Sequence, residues 1–85
     1  MPLEDLKRAQ KLIVGTKETL KALEDGRARL VFIARDANRD VIGPVLEMAS
    51  RDQIQVAYVD CMRTLGKACG IEVGAATAAI PTGKE

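Results

Sequence analysis

Two stretches of this chain combine glycine, charge and spacing in a way that suits contact with a polyanion. The first is Gly15-Thr16-Lys17-Glu18-Thr19-Leu20-Lys21. If a helix starts here, its first turn presents free N–H groups and a positive dipole end to phosphate. Gly15 lets backbone come close, because it has no side chain. Lys17 and Lys21 are four residues apart and share a helix face, with Glu18 three residues before Lys21. Lys can donate to guanine N7 and O6, and Glu can accept from a base amino group. The same residues also suit a capped helix with a solvated charged face.

The second stretch is Leu65-Gly66-Lys67-Ala68-Cys69-Gly70-Ile71-Glu72-Val73-Gly74. Its glycine spacing copies that of membrane helix dimers, but the stretch is too short and too charged for that role. Gly70 and Gly74 are expected to bracket a turn. That would leave Ile71 and Val73 on an exposed loop, able to pack on unstacked bases. The alternative is that both fold back onto the core.

Catalysis finds little support. There is no histidine, the usual general base near neutral pH. Cys61 and Cys69 have no imidazole to activate a thiolate, and two thiols cannot fill a zinc site. Ser50 sits among charged neighbours. Nothing in the spacing forces Glu18, Asp36, Asp60 or Glu72 to pair, and no Walker-type phosphate loop occurs. No catalytic residue, metal or cofactor is expected. The aromatic residues are Phe32 and Tyr58 alone, and Phe32 lies in an apolar run. A sheet face that stacks bases on aromatic rings is therefore not expected.

The elements that must position these stretches alternate between helix and strand. Residues 3–11 are expected to form a first helix and Leu12-Ile13-Val14 a short strand. Thr16 suits an N-cap for a second helix through Glu24, closed by Gly26. Leu30-Val31-Phe32-Ile33-Ala34 is continuously apolar, which predicts a strand covered on both faces. After a polar connection, Pro44 fits the first turn of a third helix, with Val45, Met48 and Ala49 facing inward. Val56–Val59 is the next strand, Asp60 can cap a short helix through Lys67, and Ala75–Ile80 is the last strand. Such alternation implies a layered α/β fold.

The 85 residues allow one domain, over 1–80, with 81–85 as a flexible tail. The net charge is +1, and 47% of residues are hydrophobic, a globular balance. Charge is unevenly spread: +3 over residues 1–35, −3 over 36–60 and +1 over 61–85. If the ends meet, one side is basic, a dipole that can orient a polyanion. The acidic start lacks an apolar signal segment, and no apolar run is long enough to span a bilayer. A cytoplasmic protein with both thiols reduced is expected, Cys69 being buried under the last strand.

Ile13–Leu23 and Leu65–Ala76, with Leu30–Ala37 between them, closely resemble the L7Ae/L30e family of ribosomal and ribonucleoprotein components. The likeness covers about residues 3–80 and is nearest the short bacterial YbxF-like branch. It implies a three-layer α/β/α sandwich with a mixed four-stranded sheet. It also implies a monomer that binds kink-turn RNA, a helix–bulge–helix element braced by sheared G·A pairs. In the family, the N-terminus of the second helix meets those guanines, which carries over to Gly15, Thr16, Lys17, Glu18 and Lys21. The loop before the last strand covers the bulged nucleotides, which carries over to Ile71, Glu72 and Val73. Archaeal and eukaryotic relatives usually have Asn where this chain has Lys17, and many have Lys at the position of Met62. The bacterial branch shares both changes. The implied RNA could be rRNA, a riboswitch leader or another transcript. A ribosome-bound structural component and a protein-interaction module using the acidic third helix are the competing expectations.

Overall fold

A computed structural model describes residues 12–82. The expected helix over residues 3–11 lies outside the described residues. The elements are β1 (Ile13–Val14), α1 (Thr16–Glu24), β2 (Ala28–Ala34), α2 (Arg39–Arg51), β3 (Gln55–Val59), α3 (Met62–Ala68) and β4 (Thr77–Pro81). They form the expected α/β/α sandwich around a mixed four-stranded sheet in the order β1-β4-β2-β3.

The apolar run becomes the central strand. β2 pairs in parallel with β3 on one side and antiparallel with β4 on the other. Its residues Val31, Phe32, Ile33 and Ala34 are wholly buried, because helices cover both faces of the sheet. α1 and α2 pack against each other, whereas α3 packs on β2, β3 and β4. The parallel β2–β3 pair needs a crossover, and α2 supplies it. β4 is built from small residues, and Ala78 and Ala79 are fully buried. Their size lets α1 lie close to the strand.

Local chemistry sets the helix ends, in places differently from expectation. α1 ends as expected at Gly26, whose φ of +70° belongs to a left-handed closing turn. The Gly26 N–H donates to Leu23 O and the Arg27 N–H to Ala22 O, the paired bonds of a Schellman motif. α2 starts at Arg39, earlier than Pro44 suggested. Asn38 Oδ1 accepts from Asp40 N–H at 2.7 Å and caps the helix there. Pro44 thus lies inside α2 and removes one helical donor, that for the Asp40 carbonyl. Val45 and Ala49 face the core as expected, joined by Ile42.

Two boundaries also move. Pro81, expected in the tail, is the last residue of β4 and pairs with Ala28. Thr82 N–H donates to Arg27 O at 2.8 Å. Asp60 does not cap α3. That cap comes from Asp36, whose Oδ1 accepts from Met62 N–H at 2.8 Å.

Candidate nucleic-acid interface

The chain enters α1 through Gly15, which holds φ 102° and ψ 155°. This conformation favours glycine over any L-residue. It replaces the expected threonine cap: Thr16 is the first helical residue, and no side chain among the described residues caps the first turn. Thr16 Oγ1 instead accepts from Thr77 Oγ1 at 3.2 Å, the Thr77 side chain being fully buried. The Gly15 N–H donates to Thr77 O at 3.0 Å. Two bonds therefore fasten the α1 N-terminus to the first residue of β4. A β-carbon on Gly15 would meet nothing within 4 Å, so the backbone there is open to an incoming group.

Lys17, Glu18 and Lys21 are exposed, while Thr19, Ala22 and Leu23 anchor the opposite side of α1 in the core. The helical spacing thus separates a buried stripe from a charged stripe on one short helix.

The second predicted stretch arrives at the same end of the sheet. α3 closes at Gly70, with φ +81°. The Gly70 N–H donates to Lys67 O and the Ile71 N–H to Gly66 O, again a Schellman motif. The chain then turns back along α3. A side chain on Gly66 would overlap the Val73 carbonyl, and a β-carbon on Gly74 would come within 3.0 Å of Met62 Cβ. Both glycines are therefore needed for the loop to lie flat on the helix. Ala75 N–H donates to Met62 O and locks the return.

The loop residues divide. Val73 is 71% exposed, as expected of a residue free to meet a base. Ile71 is half-buried and packs on the core cluster, so this residue does fold back. Glu72 is exposed. Arg63 and Lys67, four residues apart on α3, line a shallow depression with Ile71, Glu72 and Val73. Arg63 joins the predicted residues here, and its spacing from Lys67, which puts two cations on one helix face, is the signal in the sequence that marks it.

The two cysteines flank α3 and are free. Cys61 Sγ is bonded to Thr64 Oγ1 at 3.2 Å. Bonding to Thr64, first through its side chain and then its backbone, lowers the Cys61 pKa from the ordinary thiol value. Cys69 is half-buried rather than buried, and desolvation raises its pKa. Among the described residues no group of His, Cys, Asp or Glu could hold a metal ion, and no helix is long and apolar enough to cross a membrane.

Comparison with known proteins agrees with this geometry. An RNA-binding protein of Halalkalibacterium halodurans is 52% identical over 80 residues, covering 94% of this chain and 98% of the relative. The RNA-binding protein YbxF of Geobacillus stearothermophilus is 44% identical over the same length and coverage. The solved structure of the 15.5 kD RNA-binding protein of Giardia lamblia superposes with a TM-score of 0.83 at 25% identity, covering 94% of this chain and 68% of that one. Each is named for RNA binding, none for a reaction. The chain matches the ribosomal protein L7Ae/L30e/S12e/Gadd45 family over residues 2–85 and belongs to that family, within its YbxF-like bacterial branch.

Proposed function

We propose that this protein binds RNA without catalysis, and that it recognises and stabilises kink-turns through the α1 N-terminus and the loop before β4. The observation that carries this reading is the fastening of Gly15 to Thr77. It ties the first turn of α1 to the strand that the Val73 loop leads into, which supports reading the two as one surface. A straight duplex cannot offer both a widened groove for a helix end and unstacked bases for a loop, whereas a kinked one offers both. Lys17 and Lys21 would supply cations to the groove, Glu18 would accept from a guanine amino group, and Val73 would cover a bulged base. Such binding selects the bent RNA from an existing equilibrium. The same reading makes the protein a cytoplasmic monomer. Its partner would be a kink-turn in rRNA, on the ribosome, or in another transcript such as a riboswitch leader.

The test is the affinity for a short kink-turn duplex measured in excess competitor RNA, beside a straight duplex of the same composition. The reading expects strong preference for the kinked RNA. Equal affinity for both would overturn it.

A further inference from the structure

A groove separate from this surface runs between the start of α2 and the outer edge of the sheet. Arg35, Arg39 and Tyr58 form its rim, and Ile33, Ile42 and Leu46 contribute to its lining. Its volume is about 480 Å³, within the range of small-ligand sites. Tyr58 is 51% exposed, since β3 is the last strand of the sheet. The Arg35 guanidinium lies over its ring at 5.1 Å from the centroid, a cation–π arrangement. Among the described residues no carboxylate lines the groove. The nearby Asp36 is engaged elsewhere, its Oδ1 accepting from Met62 N–H.

The groove thus offers two cations, an aromatic ring and an apolar floor. A nucleotide uses all of these, because its base stacks on Tyr and Arg planes and its phosphate pairs with Arg. An acidic peptide would use the cations and leave the ring idle.

The position favours the same choice. Ala34 N–H donates to Ala76 O, one residue before Thr77, and Arg35 N–H donates to Val59 O. The rim of the groove therefore stands at the sheet end that also carries Gly15. Three strand spacings, about 14 Å, separate β1 from β3. We infer that this groove holds an unpaired nucleotide of the same RNA that meets α1, its base stacked on the Tyr58–Arg35 pair and its phosphate held by Arg39. This inference rests on the RNA-binding reading above and extends it to single-stranded flanks.

Tyr58 is the sole tyrosine, and the chain has no tryptophan. Its emission therefore reports on this groove alone. Four probes are needed: a blunt-ended kink-turn duplex, the same duplex with unpaired purine tails, a free oligoadenylate, and a polyglutamate peptide. In the wild type, the tails should quench Tyr58 and raise affinity about 5- to 150-fold, the range for one base stacked on an aromatic ring. Tyr58→Ala and Arg35→Ala should abolish the gain and leave blunt-end affinity unchanged. Tyr58→Phe should keep the gain. Circular dichroism confirms that each variant is folded.

A gain that is absent, or that survives in both alanine variants, overturns the inference. So does quenching by polyglutamate without quenching by RNA. If the blunt kink-turn is not bound while oligoadenylate quenches Tyr58, the kink-turn reading fails and the nucleotide groove stands.

Discussion

The backbone of Gly66 in α3 lies directly against the carbonyl of Val73, so closely that a β-carbon would overlap the oxygen. Gly43 in α2 differs, for a β-carbon there would meet nothing within 4 Å outside its chain neighbours and its own helix backbone. The two helical glycines therefore respond to alanine to different extents. Gly66→Ala must push the loop off α3 and should destabilise the fold by about 1–3 kcal/mol, with weaker RNA binding as Val73 moves. Gly43→Ala gains helix propensity, but its β-carbon meets the ring of Pro44, the next residue of α2, so its net effect should be smaller than that of Gly66→Ala. Denaturant midpoints of the two variants, at unchanged slope, check that order.

The cap on α3 separates Asp36 from Asp60. Asp36→Ala removes the acceptor for Met62 N–H and should cost about 0.5–2 kcal/mol. Asp36→Asn keeps a neutral acceptor and should cost less. Asp60→Ala should stay within about 0.5 kcal/mol. A larger loss at Asp60 than at Asp36 in thermal unfolding would contradict the assignment.

These residues show how far the sequence could be read. Apolar runs and helical spacing mark most of the described helices and strands, because those signals are local, whereas α3 is marked only by its flanking residues. The cap on α3 is not legible locally, because Asp60 is adjacent in the chain, whereas Asp36 is adjacent only in space. Asn38 carried a readable start signal for α2, yet Pro44 drew the boundary later. Thr16 looked like a cap until Gly15 placed it inside the first turn. The charged face of α1 was legible, since Lys17, Glu18 and Lys21 lie within two helical turns. The groove at Tyr58 was not, because its exposure depends on β3 being an edge strand, and strand order is not written locally.

The thiols should react differently. The Thr64 bond lowers the Cys61 pKa, whereas burial raises that of Cys69. Cys61 should therefore form thiolate at lower pH than a free thiol and alkylate first as pH rises, with Cys69 following only at higher pH. Thr64→Val should return the Cys61 profile toward the ordinary one. Mass spectrometry after timed alkylation across pH reads both sites. Replacing both cysteines by Ala should leave RNA binding intact.

Lys17 and Lys21 bear on the electrostatics. The double alanine variant should bind RNA more weakly and with a flatter salt dependence, the log–log slope falling by about 1–2 as fewer counterions are released. Stability should change by no more than about 0.5 kcal/mol, since both side chains are exposed. An unchanged slope would show that α1 is not the contact.

Glu18 gives the most direct test of kink-turn recognition by α1. It is an exposed carboxylate on a surface assigned to a polyanion, so charge alone predicts that Glu18→Ala binds RNA better. Acceptance from a guanine amino group predicts the reverse, because losing a hydrogen bond to a charged group costs about 1.5–3 kcal/mol. The measurement is the dissociation constant of wild type and Glu18→Ala, each against an intact kink-turn and one whose G·A pairs are replaced by Watson–Crick pairs. The account predicts strong discrimination by the wild type and weak discrimination by the variant, with the loss confined to the intact kink-turn. Intact kink-turn binding by Glu18→Ala that equals or exceeds that of the wild type would contradict it.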